Sequence, residues 1–346
     1  MQPKSTVAHW GEKKIVHEII NSLCASDKVS IGVGDDAAVV DFPAGKQLVI
    51  STDKIPEDLI ALQLGLMDPF HHGRYLATVN ISDIAAMGGL PLGLLCTLAL
   101  PDNFSLDYLT SFIRGFVAGG YEWNVPVVGG DTGWGTSVCL SATAFGAIDR
   151  GRALRRSGAQ VGDRIFATGH LGLFGTALAY FVVARPKGMK ISNADESILK
   201  ERLVQPRARV DAGQFLSASN LCSSCMDVTD GVGQSLRELS IASNARLVIE
   251  AHQLPLHSIT REVADFLGCS PYRIVFGIGL DLELVGTLRG ADLPAPRDFL
   301  NFGYVSEGNA GVWLEEDGKI SELEFIGWQH FAGSAMDQVR AMYARP

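Results

Sequence analysis

Apolar residues Ile15, Val16, Ile19, Ile20 and Leu23 recur at the spacing of one helical face, so the chain opens on an amphipathic helix and not on the apolar core of a secretory leader. From residue 30 to about 150, short strand patterns mix with helical ones. Residues 47–51 predict a strand, 74–87 a helix stopped by Gly88 and Gly89, and 105–118 a second helix. A buried strand is expected at 125–128, ending at Gly129 and Gly130, and another at 137–148, where small or polar residues alternate with apolar ones. The basic, glycine-bearing run DRGRALRRSGAQVGD then breaks the pattern and marks a boundary. Beyond it come a strand at 164–168, helices at 175–183 and 195–203, a strand near Met226 and a helix at 234–243. These elements predict a two-domain α/β (α+β) chain, with domains 1–150 and 151–346.

Composition narrows the function. At 346 residues and 47% hydrophobic, the chain is too long for one ordinary core and too apolar for disorder. A net charge of −9 leaves no basic excess for a nucleic-acid backbone or an anionic membrane surface. No apolar run reaches the roughly 18 residues that would span a bilayer. A cytoplasmic protein with no nucleic-acid and no membrane partner is expected. The 6 cysteines are too sparse for a disulfide scaffold, and Cys222 and Cys225 form a C-x-x-C without a second pair at finger spacing, so packing and turn roles are expected of them.

The candidate chemistry lies in the aspartates. Asp35 and Asp36 follow Gly34, Asp53 follows Ser51 and Thr52, Asp83 follows Asn80 and Ser82, and Asp131 sits between Gly130 and Thr132. Asp227 and Asp230 flank Val228 and Thr229 ahead of Gly231. Apart from the helical Asn80 cluster, all fall at expected strand ends or turns, and singly each is an ordinary turn or cap. Five such clusters aimed inward would repel strongly unless cations neutralised them. Mg²⁺ suits them, because it takes hard oxygens and joins one or two carboxylates to substrate phosphates. Several Mg²⁺ ions and ATP are therefore expected, with phosphoryl transfer driven by positioning and charge neutralisation.

The familiar nucleotide motifs fail. Gly32, Gly34 and Ala37 have the G-x-G-x-x-A spacing, but no clear strand precedes them and two aspartates in the loop would repel a pyrophosphate. The glycines from Gly130 to Gly135 have P-loop spacing, yet Thr136 stands where the phosphate-binding Lys belongs. Positive charge for a triphosphate is available at Arg152, Arg155 and Arg156, which are equally consistent with a solvated basic loop.

The segments IGVGDDAAVV, LVISTD, TVNISDIAAMGG, VVGGDT, GRALRRSGAQVGD, MDVTDG and GWQHF, in this order, resemble the thiamine-monophosphate kinase family. Its superfamily also holds aminoimidazole ribonucleotide synthetase, selenophosphate synthetase and the hydrogenase maturation dehydratase. The resemblance implies an N-terminal domain whose sheet forms a barrel with that of a second subunit, and a C-terminal α/β domain closing over the nucleotide. Matched position by position, Asp35, Asp36, Ser51, Thr52, Asp53, Asp83, Asp131, Asp227 and Asp230 are implied Mg²⁺ ligands, with Asp53, Asp131 and Asp230 as the catalytic set. Gly130, Arg156 and Thr229 match nucleotide-contacting positions, and Trp328 matches the aromatic that packs on the acceptor.

Departures gather on the acceptor side. Ile60 stands where the family usually has a substrate-reaching His, Leu280 replaces a substrate-binding Glu of the G-G-E-D-Y-E-L motif, and Gly133, Trp134 and Gly135 follow Asp131 and Thr132 where an Arg is usual. The implied reaction converts ATP and thiamine phosphate to ADP and thiamine diphosphate, with an altered acceptor pocket and thiamine phosphate as a poor acceptor. Two alternatives stay open: ATP-dependent activation of an amide or carbonyl oxygen, and a non-catalytic nucleotide-binding homodimer.

Overall fold

In the first part of the chain, helix α1 (Glu12–Ser22) precedes two short antiparallel strands, β1 (Val29–Ile31) and β2 (Val39–Val40), and then a four-stranded sheet. The sheet comprises β3 (Lys46–Ile55), β4 (Leu90–Leu100), β5 (Val127–Trp134) and β6 (Cys139–Asp149), in the spatial order β3, β6, β4, β5. β6 pairs antiparallel with β3 and β4, and β4 pairs parallel with β5. Helix α2 (Ile60–Gln63) is a single turn after β3, and α3 (Pro69–Ala86) and α4 (Leu106–Tyr121) are the long helices of this part. This computed structural model describes residues 6, 12–23, 29–31, 39–290, 299–323 and 334–343. Its contacts divide the chain into two units, Met1–Ala85 with Gly89–Gly151, and Ala86–Gly88 with Arg152–Pro346.

Helix α3 starts earlier than its apolar pattern predicts. Asp68 caps it by accepting the His71 N–H at 2.8 Å, and Pro69 takes the first turn, where a missing N–H costs nothing. Helices α3 and α4 cross with their backbones nearly touching. A Cβ on Gly73 would lie 1.8 Å from the Phe112 carbonyl oxygen and one on Gly115 1.7 Å from that of Phe70, so both positions exclude any side chain. One face of the sheet is buried through Leu94, Leu98, Leu140, Ala142 and Ala144. The other is open and apolar at one end, with Leu48 57% and Ile50 63% exposed.

The second unit is a seven-stranded sheet, almost wholly antiparallel. Its strands are β7 (Arg164–Ala167), β8 (Cys222–Asp227), β9 (Arg246–Glu250), β10 (Leu284–Leu288), β11 (Leu300–Ser306), β12 (Gly311–Glu316) and β13 (Lys319–Glu322), in the order β13, β12, β9, β11, β7, β10, β8. Its helices include α5 (Leu173–Leu178), which widens into a π-turn over Ala179–Ala184, then α6 (Asn193–Val204), α7 (Val210–Ser219) and α8 (Val232–Ser243). α8 packs Leu236 and Leu239 into a core shared with Ile165, Leu247, Ile249 and Phe302. Among the described residues no helix is long and apolar enough to cross a membrane.

Candidate functional site

The first unit contributes a clamp between β3 and α3. Strand alternation puts Ser51 and Asp53 on one face, and helical spacing puts Asn80 and Asp83 one turn apart on the side that meets it. Ser51 Oγ donates to Asp83 Oδ2 at 2.5 Å. The backbone N–H of Asp53, on an edge strand, donates to Asn80 Oδ1 at 3.0 Å, while Asn80 Nδ2 donates to the Leu76 carbonyl at 2.9 Å. Asn80 is fully buried, so this pairing spares both an unsatisfied amide and an open strand edge.

Two expected ligands lie elsewhere. Thr52 points to the opposite face, where its hydroxyl donates to the Ala142 carbonyl at 2.8 Å and meets Thr143 Oγ1 at 3.1 Å. Asp131 pairs in register with Thr97, Thr97 with Ser141, and Ser141 with Lys54, which puts Asp131 on that same open face, three strands from β3. At the usual strand spacing this is about 14 Å. Gly130 lies beside Cys96 and helps line a mainly apolar cavity of about 140 Å³, together with Ile19, Leu23, Phe116, Val127 and the neighbouring Asp131. The sequence placed the Asp53 and Asp131 clusters at strand ends, whereas β3 and β5 run through both. Ladder bonds from neighbouring strands override the turn preference of Asp and Gly.

Ile60 does not present an apolar wall to a ligand. It is 9% exposed and begins α2, turned inward with Ala61. The exposed residues of the preceding loop are Pro56, Glu57 and Asp58.

The second unit, by itself, carries a turn and a basic edge. Asp227 ends β8 and is buried, and Thr229 and Asp230 follow, half-buried, at the entrance to α8. Gly231 has φ +108, and a Cβ there would lie 1.9 Å from the Gly277 carbonyl oxygen, so the turn seats directly on the backbone around Gly277 and Gly279. The next stretch of that backbone carries half-buried Leu280 and runs beside the aspartates: Leu282 N–H donates to Val228 O and Val228 N–H to Glu283 O, both at 3.0 Å. Leu282 holds a left-handed φ of +52, a cost that a bulky residue bears only where its surroundings enforce it. Along the free edge of β8, Cys225 N–H donates to the Arg155 carbonyl at 2.8 Å and Ser243 Oγ to that of Arg156 at 3.2 Å, leaving both guanidinium groups exposed.

A polar group invisible in the sequence pattern stands behind this turn. The Glu283 carboxylate, 0% exposed, takes a bidentate pair of hydrogen bonds from Arg209, a third from Thr168 Oγ1 at 2.7 Å, and has Arg202 at 3.5 Å. Asp281 accepts the Gly172 and Phe174 N–H groups at 2.8 and 2.9 Å, and burial pushes its pKa up to about 6 against those hydrogen bonds. Glu283 and Arg209 are 74 residues apart in sequence, and only the Asp281 and Glu283 positions of the G-G-E-D-Y-E-L match hinted at them. Cys222 and Cys225 take packing roles: Cys225 lies in a core cluster and Cys222 Sγ donates to the Ser224 carbonyl.

Asp35, Asp36 and Trp328 lie outside the described residues. Among the described residues, no three His, Cys, Asp or Glu side chains gather closely enough to cage a metal ion. What the first unit offers is hard-oxygen donors on facing elements, Asp53 on β3 and Asp83 on α3, with the Ser51 hydroxyl donating to Asp83. That donor set fits Mg²⁺, which fills its octahedron with water and substrate phosphate instead of a protein cage.

The profile of the AIR synthase related protein, N-terminal domain, matches residues 34–148. A thiamine-monophosphate kinase of Pyrococcus abyssi is 34% identical over 305 residues, covering 87% of this chain and 91% of that protein. Among solved structures, a thiamine-monophosphate kinase from Stenotrophomonas maltophilia K279a aligns with TM-score 0.71 and 29% identity, over 89% of this chain and 95% of its own. A structure of AaThiL complexed with AMPPCP and TMP aligns with TM-score 0.71 and 27% identity, over 93% and 97%.

Proposed function

The chain belongs to the thiamine-monophosphate kinase family, and from that premise we propose that it moves the γ-phosphoryl group of ATP onto thiamine phosphate, giving ADP and thiamine diphosphate. The observation that carries this reading is the clamp of Ser51 and Asp53 against Asn80 and Asp83. Mg²⁺, when bound there, would supply charge neutralisation at the transferring phosphates. Every other role falls to the chain's own side chains. Ser51 orients the Asp83 carboxylate by donating to it, and Asn80 fixes the backbone beneath Asp53.

From the second unit, Asp227 and Asp230 are the further acidic ligands, the Thr229 hydroxyl is a nucleotide contact, and the exposed Arg156 guanidinium offers a planar fork for phosphate oxygens. The acceptor is itself a phosphate, already anionic near neutral pH, so the transfer needs no general base. Asp35, Asp36 and Trp328 take their metal and acceptor roles from the family likeness alone.

The finer architecture belongs to the same proposal. Residues 1–150 act as the metal- and nucleotide-binding domain and 151–346 as the domain that closes over the nucleotide. The open sheet face, apolar at Leu48, Ile50 and Phe145 and carrying Thr52, Thr97 and Asp131 at its other end, meets the same face of a second subunit to close a barrel. Asp131 then serves at that subunit boundary, away from Asp53. The enzyme acts in the cytoplasm. The test is incubation with ATP, Mg²⁺ and thiamine phosphate, with chromatographic separation of the thiamine esters. Thiamine diphosphate formed in step with ADP, and suppressed by EDTA, is the expected result; ATP turnover that leaves thiamine phosphate unchanged contradicts the reading.

A further inference from the structure

Residues 56–59 connect Ile55, at the end of the strand that carries Asp53, to Ile60, and so run between the proposed metal position and the position matched to the acceptor. Two side chains from outside this stretch hold its backbone. Gln63 Nε2 donates to the Asp58 carbonyl at 2.7 Å. The other is His72 of α3, which is 0% exposed. Its Nε2 lies 2.9 Å from the Pro56 carbonyl oxygen and its Nδ1 2.8 Å from the Tyr108 hydroxyl. A carbonyl only accepts, so Nε2 carries the proton. The neutral ring then leaves Nδ1 to accept from Tyr108.

His72 thus ties α4, through Tyr108, to the loop after β3. The anchor is rigid, because its ring stands edge-on to Phe112 at 5.4 Å and Tyr108 in turn stands edge-on to Phe104 at 5.4 Å. The α3 and α4 backbones meet immediately beside it at Gly73. Asp53 has its own support from Asn80, which is independent of this chain of bonds. With Ile60 turned inward, the surface that this loop offers is formed by Pro56, Glu57 and Asp58, and its position depends on His72.

We propose that His72 is a positioning residue for the acceptor: by holding the Pro56 carbonyl it sets the loop that borders the acceptor, and so governs acceptor affinity while leaving ATP handling to the Asp53 clamp. This rests on the reaction assigned above. His72→Ala is expected to raise the KM for thiamine phosphate about tenfold or more, with kcat and the KM for ATP changed less than about threefold. His72→Gln, whose amide can still donate to Pro56, is expected to recover most of the affinity. Tyr108→Phe removes one hydroxyl and keeps the ring, so it provides a folded variant if His72→Ala does not fold; its KM shift should be smaller and in the same direction.

Hydrogen–deuterium exchange on the same proteins supplies a readout that does not depend on the reaction. Amides of 57–60 should exchange faster in His72→Ala and Tyr108→Phe, and those of 51–53 at the wild-type rate. An unchanged acceptor KM in folded variants, or a rise in it matched by a fall in kcat and an equal rise in the KM for ATP, overturns the proposal. A wild-type protein that makes no thiamine diphosphate overturns the reaction and the affinity claim with it, while the exchange data still decide whether His72 holds the loop.

Discussion

On β3, Ser51 and Asp53 face polar groups of α3 that fix them at 2.5 and 3.0 Å, whereas a few residues later Ile60 is folded into an apolar interior and the loop before it is held through its backbone carbonyls. The proposed phosphate end is held by Ser51 donating to Asp83 and by Asn80 accepting the backbone N–H of Asp53. At the proposed acceptor end the matched position, Ile60, is turned inward, and the exposed residues of the loop before it are Pro56, Glu57 and Asp58. Ile60, where the family usually has His, is therefore a buried side chain and not an exposed apolar one.

The largest effect that sharpens this contrast should come from the clamp. Asp53→Asn and Asp83→Asn in the clamp, and Asp230→Asn in the turn after β8, are each expected to lower ATP turnover by about a thousandfold, with thermal unfolding little changed, because each removes a proposed metal ligand that is only half-buried. Turnover near wild type in Asp53→Asn under saturating Mg²⁺ would break the comparison at its stronger side.

Next in size is a pH effect on stability. Burial holds the His72 pKa down at about 4, against 6.5 for a free histidine. The unfolded chain takes up this proton near pH 6.5 and the folded chain only near 4, so the contribution is fully present above pH 6.5 and is lost as pH falls toward 4. At full strength it amounts to roughly 3 kcal/mol. His72→Gln should flatten this part of the acid unfolding profile; a profile identical to wild type contradicts the buried neutral ring.

Ile60→His asks whether the acceptor end can be restored by one residue. Placing an imidazole among buried apolar groups is expected to cost about 1–3 kcal/mol of stability and to leave the KM for thiamine phosphate no lower. A lowered KM with unchanged stability would mean that position 60 faces the acceptor after all. The smallest effect is assigned to Asp131→Asn. Its place on the open face, three strands from Asp53, predicts a loss of less than about tenfold, and a loss equal to that of Asp53→Asn would put both in one metal site.

Much of this was legible from the chain alone. The apolar spacing of 74–87 found α3, and Ser105 marked the start of α4 by capping it through the Tyr108 N–H. The NISD segment was read as helical, and helical spacing is what brings Asn80 and Asp83 to one side. The extents of β3 and β5 were not legible, because Gly, Ser, Thr and Asp read as turns until a neighbouring strand supplies their hydrogen bonds. The opposite facing of Asp53 and Asp131 follows from register across four strands, which no local window contains. Nothing near His72 in the sequence indicates that Pro56 and Tyr108 lie on either side of its ring.

Transfer to the acceptor and activation followed by release of phosphate leave the γ-phosphoryl group of ATP in different products. Following the label from γ-³²P-ATP in a reaction with thiamine phosphate and Mg²⁺ separates the two directly. The account predicts that the label appears in thiamine diphosphate, one labelled ester for each ADP formed. Label recovered in inorganic phosphate, with thiamine phosphate unchanged, would contradict it.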